Sequence, residues 1–234
     1  MKILAFETSA KAASAAVMAD GKLLAECYQN TGLTHSQTLM VMAQDLLKQL
    51  NLTAKDMDAV AVAAGPGSFT GVRIGVAAAK GFAWGREIPC YGVSTLEAMA
   101  RSAACLGGVI CCCMDARRAQ VYNAVFERCG ETLVRLREDR AISLDDLCED
   151  LQNIEKTIFL VGDGAQLCYN TCLDMGIPAV LAPGNLVSQS AWGVAMAAFG
   201  QTPVPAEELL PVYLRLSQAE RERQARLAAQ AAQE

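Results

Sequence analysis

The residues best placed to do chemistry in this sequence are a glycine-rich turn, a single histidine and ten cysteines. The run Ala64-Gly-Pro-Gly-Ser-Phe-Thr-Gly-Val-Arg puts a tight turn at the head of an apolar segment. Free N–H groups at such a helix start attract phosphate. The G-x-x-x-x-G-K-S/T spacing of a P-loop is missing, so the same run also reads as a plain strand-to-helix turn. Between Val60 and Gly85 there is no Asp or Glu, whereas phosphoryl transfer usually needs a carboxylate to take the hydroxyl proton. His35 is the only histidine, and one imidazole cannot build an H-E-x-x-H zinc site, which excludes a zinc protease. His35 is expected to serve structure near the start of the first helix. The cysteines contain no C-x-x-C pair. Consecutive Cys111, Cys112 and Cys113 would alternate across a strand, so reduced thiols packed as small hydrophobes are expected.

Composition narrows the classes further. Of 234 residues, 53% are hydrophobic and 19% charged, and the mean hydropathy is +0.22, the profile of a globular chain. Lysine and arginine total 20 against 25 acids, a net charge of −5, so the surface as a whole repels a phosphate backbone. Glu7 and Lys11 break the apolar start well short of a secretory core, and a cytoplasmic protein is expected. The greasiest stretch, Val72 to Trp84, carries Arg73 and Lys80 and falls short of the roughly 18 apolar residues of a membrane span.

These groups need elements to hold them. Lys2 to Thr8, Ser14 to Ala19 and Lys22 to Gln29 read as strands, with Asp20-Gly21 a hairpin signal. Ser36 to Leu50 repeats with helical period, burying Leu39, Met42 and Ala43 among others. Strand Asp58 to Ala64, helix Val72 to Gly85, strand Cys90 to Val93 and a helix from Ser94 follow in α/β order. After Gly107-Gly108 a second unit opens with strands Val109 to Met114 and Gln120 to Glu127. It continues through a helix at Ser143 to Leu151, strand Thr157 to Val161, the loop Gly162-Asp163-Gly164, a helix to Met175 and a helix Ser188 to Phe199. The expected division is 1–106, 107–216 and a helical or disordered tail at 217–234. Both units open with antiparallel strands, which suggests a duplication.

The Val72 to Gly85 helix is apolar almost all round, with Arg73 and Lys80 its only charged stripe. It needs cover on more than one side. Gly71, Gly75, Ala78, Phe82 and Gly85 fall on one flank, where missing side chains let another backbone approach. That backbone is the Ser36 to Leu50 helix, a second copy, or a foreign chain. Met40 and Met42 border the first helix's apolar face as adaptable contacts. The expected partner surface is therefore Leu39, Met40, Met42, Ala43, Gly71, Gly75, Ala78 and Phe82.

The Gly65-to-Lys80 run resembles the signature of the TsaB family, the non-catalytic partners of TsaD-type transferases in bacterial tRNA threonylcarbamoyladenosine synthesis. Phe6-Glu-Thr-Ser, Gly92-Val-Ser-Thr-Leu-Glu, Asp115-Ala-Arg-Arg with Val121-Tyr122, and Pro211-Val-Tyr-Leu-Arg215 resemble the same family. The resemblance implies an α/β, actin-like (ASKHA, the sugar kinase/Hsp70/actin class) fold of two lobes, each a mixed sheet flanked by helices. It implies a heterodimer with the transferase through the first two helices, a TsaE-type ATPase in the larger complex, a homodimer when alone, and tRNA met only through the complex. Catalytic relatives carry a metal-binding H-x-x-x-H whose histidine positions are Thr95 and Met99 here, with Glu97 between them, so neither metal nor catalytic residue is expected. Glu7, Thr8 and Ser9 stand where relatives hold nucleotide phosphates, and Gly162 and Gly164 suit the matching loop, so weak ATP or ADP binding is the one cofactor expectation. A small-molecule kinase of the same fold is the alternative.

Overall fold

The computed structural model describes residues 1–215; the expected tail at 217–234 lies outside them. Strands β1 (Lys2–Glu7), β2 (Ala13–Ala19) and β3 (Lys22–Gln29) form an antiparallel meander. Asp20 and Gly21 turn the β2–β3 hairpin with φ of 49° and 79°, the left-handed pair that a two-residue hairpin needs. Helix α1 (His35–Gln49) leads to β4 (Ala59–Gly65), which pairs in parallel with β1. Helix α2 (Phe69–Ala83) starts at Ser68, whose hydroxyl accepts the Gly71 N–H, satisfying one free donor of the first turn. Strand β5 (Cys90–Ser94) and α3 (Thr95–Ser102) complete a sheet of order β3-β2-β1-β4-β5.

The second sheet repeats this plan. Strands β6 (Val109–Asp115), β7 (Gln120–Cys129) and β8 (Thr132–Ser143) form the meander. Helix α4 (Leu144–Leu151), β9 (Ile158–Val161), α5 (Ala165–Asp174) and β10 (Ala179–Leu181) follow, giving the order β10-β9-β6-β7-β8. Read from its other edge, this is the order and sense of the first sheet, so the duplication is present as topology. The architecture is two lobes, each a mixed five-stranded sheet flanked by helices, as expected.

Alternation across each strand sorts side chains to two faces. Leu4 and Phe6 of β1 pack with α1 and α2, while Ile3 and Ala5 face the short helix α7 (Ala191–Ala198). Cys111 and Cys113 face α4 and α5, whereas Cys112 faces α3. All ten cysteines are free thiols and seven are buried.

Two expectations need correction. The second lobe does not run to 216, because α7, after α6 (Gly184–Val187), crosses back to pack on β1, β2, β4 and α3. Its Ala191 N–H is taken by Ser14 Oγ at 2.7 Å, and its alanine-rich sequence suits a helix buried between layers. Strand β8 was not expected, because Arg135, Arg137, Glu138, Asp139 and Arg140 give it the look of a loop. As an edge strand it answers those charges with ion pairs. Arg135 reaches Glu97 of α3 at 3.0 Å and Asp139 at 2.5 Å. Arg137 and Arg140 share Asp150 of α4.

Candidate functional site

Helix α2 has three flanks with different fates. The first faces the chain's own β1 end. A Cβ on Gly75 would sit 2.5 Å from Thr8 Oγ1 and 3.1 Å from Val62 Cγ2, and one on Gly71 would collide with the Thr8 carbonyl. Thr8 Oγ1 in turn donates to the Gly71 carbonyl at 2.8 Å. These glycines let α2 close on the strand end, and they offer nothing to a partner. Leu39, Met42, Ala43 and Phe82 are likewise buried in the core between α1, α2 and the first sheet. Of the expected partner surface, Met40 is exposed and Ala78 half-buried; Ala43 and Phe82 are core residues that border the groove between α1 and α2, and Leu39, Met42, Gly71 and Gly75 are corrected to core or close-packed positions.

The second flank carries Arg73 and Lys80. Exposed Arg73 and half-buried Lys80 both anchor the returning C-terminal segment. Arg73 Nε donates to Tyr213 Oη at 2.8 Å, and the Tyr213 ring stacks on Phe69 with centroids 4.7 Å apart. Lys80 Nζ donates to the Glu207 and Leu209 carbonyls at 3.1 and 3.2 Å.

The third flank is bare. Thr70, Ala77, Gly81 and Trp84 are exposed and Ile74 and Ala78 half-buried; Trp84 shows 65% of its surface. Around Gly81 there is open space within 4 Å of where a Cβ would stand. Beside this flank α1 exposes Met40 and Val41, at 44% and 55%. An apolar groove of about 620 Å³ runs between α1 and the end of α2, lined by Met40, Val41, Leu47, Leu52 and Phe82. Val41, Ile74, Ala77, Gly81 and Trp84 were missed in the sequence. The i, i+3, i+7 spacing of Ile74, Ala77 and Gly81 on α2 was a usable signal, masked because Arg73 and Lys80 looked like the solvent side.

A second concavity, about 340 Å³, lies between the lobes and is lined by Ser9, Lys11, Ser68, Asp115, Arg117, Asp163, Tyr213 and Arg215. Of the five expected nucleotide residues only Ser9 lines it. Thr8 is spent on α2. Gly162 and Gly164 pack against the β6 backbone and Met99, with Asp163 between them as the residue that reaches the cleft. Glu7 is fully buried, accepting the Ser9 N–H at 2.5 Å. Burial first, and the Asp163 charge second, push its carboxyl from 4.5 up to about 7. Asp163 is pushed up chiefly by burial too, against a hydrogen bond from Gln189. Glu7 Oε2 and Ser9 Oγ are buried without partners. His35 Nε2 lies 2.9 Å from the Ala10 carbonyl, tying α1 to the loop after β1.

Along α3, Thr95 is buried with an unpartnered hydroxyl and Met99 sits in the core shared with β6 and β7. Glu97 is held by Arg101 and Arg135, each at 3.0 Å. Among the described residues no group of three or more His, Cys, Asp or Glu is arranged to hold a metal ion, and no helix is long and apolar enough to cross a membrane.

Residues 29–201 match the family described as TsaD: tRNA N6-adenosine threonylcarbamoyltransferase. The chain is 31% identical to the tRNA threonylcarbamoyladenosine biosynthesis protein TsaB of Bacillus subtilis, covering 94% of this chain and 96% of that one. It is 34% identical to the protein of that name from Escherichia coli, over 92% and 95%. The solved structure of YeaZ from Pseudomonas aeruginosa superposes with a TM-score of 0.73 at 26% identity, over 91% of this chain and 99% of that one. The chain belongs to the TsaB family of tRNA threonylcarbamoyladenosine biosynthesis proteins.

Proposed function

We propose that the chain serves tRNA threonylcarbamoyladenosine synthesis as a non-catalytic subunit, docking its bare α1/α2 surface onto a TsaD-type transferase. The observation that carries this reading is Gly81. Glycine inside a helix costs about 1 kcal/mol relative to alanine, and here no contact within the chain uses the missing side chain. A partner's backbone crossing at Ala77 and Gly81 would use it, with Trp84 and Met40 as anchors beside it. The exposed Met40 and Val41 lining the apolar groove suit such an interface. Thr95 and Met99 support the non-catalytic part, since neither side chain replaces a histidine ligand and both are enclosed by the core. Membership of the TsaB family leaves the small-molecule kinase alternative without favour.

Within this reading the chain carries no resident cofactor and meets tRNA through the complex, which also includes a TsaE-type ATPase. It is cytoplasmic and pairs with a second copy through the same face when the transferase is absent. Reconstitution tests it. The chain alone forms no threonylcarbamoyladenosine on tRNA, and its addition to transferase and substrates raises product formation. Transfer by the chain alone, or no gain on mixing, overturns the proposal.

A second reading concerns the cleft, where Ser9 lies beside cationic Lys11, Arg117 and Arg215. These groups support weak ATP or ADP binding. Calorimetric titration of the isolated chain with each nucleotide checks it, and the absence of heat at millimolar ligand contradicts it.

A further inference from the structure

Helix α5 carries Cys168 and Cys172 one turn apart, and each meets a thiol from a different element. Cys172 Sγ lies 3.4 Å from Cys148 Sγ of α4, and Cys168 Sγ lies 3.4 Å from Cys113 Sγ of β6. A disulfide requires the sulfurs to close to about 2.05 Å with the Cβ atoms in register. The two pairs differ in how freely they can close. Cys113 sits in a strand whose backbone is bonded to β7 on one side and β9 on the other. Cys148 and Cys172 sit on two helices that meet through side chains, and α4 is only eight residues long. A small shift of α4 against α5 breaks no ladder hydrogen bond.

We infer that Cys148 and Cys172 are an oxidisable dithiol pair, which a hydroperoxide converts into a disulfide tying α4 to α5. One thiol, deprotonated, attacks a peroxide oxygen; the O–O bond breaks, leaving a sulfenic acid and one water. The second thiol attacks that sulfur, the S–S bond forms, the S–O bond breaks, and a second water leaves. Two thiols lose two hydrogens and two electrons, and hydrogen peroxide becomes two waters. Burial holds both thiols above their ordinary range, so in the closed lobe they are protonated and slow, and reaction follows local opening of the helix pair. Cys105 and Cys129 are exposed and act as internal competitors for the oxidant.

The test treats the folded, full-length chain with hydrogen peroxide, alkylates free thiols in denaturant, and maps peptides without reduction. The expected product is one cross-linked peptide pair joining Cys148 to Cys172, two hydrogens lighter than the sum of its parts. Hydrogen exchange of α4 and α5 amides then slows about tenfold or more, and reductant restores the original rate. Recovery of both residues alkylated while Cys105 and Cys129 are oxidised overturns the inference. So does a map dominated by Cys113 linked to Cys168. The Cys172→Ala chain loses the cross-link and the exchange effect, and the wild-type map alone decides the matter if that variant fails to fold.

Discussion

Gly75 and Gly81 stand six residues apart on one helix, and their surroundings are opposite. Gly75 is wedged against Thr8 and Val62, so its hydrogen side chain is demanded by the fold itself. Gly81 faces open space, and the fold would be better served there by alanine. Between them on the wheel, Arg73 and Lys80 grip the C-terminal segment. The lesson is that a small residue on an apolar helix marks a close approach, but only the neighbours tell whether that approach is already made or still available.

The largest expected effect belongs to the sealed flank. Gly75→Arg forces a long charged side chain into Thr8 and Val62 and should cost about 4 kcal/mol or more, visible as a collapsed denaturant midpoint or insoluble protein. A stably folded Gly75→Arg chain would erase the distinction between the flanks.

Glu7, beside Thr8 on the same sealed side, gives a pH signature. Below pH 4.5 its carboxyl is protonated in both folded and unfolded chains. From there to about 7 the unfolded chain gives up its proton while the folded chain keeps it. Stability therefore falls as pH rises through this window, by about 3 kcal/mol in all, and levels off above it. Glu7→Gln removes that loss, so urea midpoints of the two proteins should diverge between pH 5 and 8, the variant being favoured at the higher pH. Parallel curves would mean that Glu7 is not sealed in as described.

On the anchored flank, Tyr213→Ala loses the Phe69 stack and the Arg73 hydrogen bond and should lower stability by about 1 to 2 kcal/mol. Faster proteolysis or hydrogen exchange in residues 207–215 would accompany it. The smallest effect is on the bare flank: Gly81→Ala should raise stability by about 0.5 to 1 kcal/mol, read as a higher unfolding midpoint, and a fall instead would show that Gly81 is packed after all.

Much of the fold was written locally. Asp20-Gly21, the helical spacing of Leu39, Met42, Ala43 and Leu46, and the apolar β4 with its glycine turn each specify their element within a few residues. Strand β8 was illegible because its charges are satisfied by Glu97, at the start of α3, and by Asp150, on the helix that follows it. The return of α7 to the first sheet depends on Ser14, far away in sequence. The same distance problem hid the site. Arg73 and Lys80 look like a purely water-facing stripe until a segment more than a hundred residues later hydrogen-bonds to both, and that contact decides which flank of α2 is left bare. The cleft was half legible: Ser9 lines it, but Gly162 and Gly164 proved to be packing glycines around Asp163.

Whether the bare flank is an interface is decided by titrating Gly81→Arg against a TsaD-type transferase while following its thermal unfolding. The expected result is a midpoint at or above that of the wild-type chain and an affinity weakened by about a hundredfold or more. A variant that folds and binds as well as wild type would contradict it.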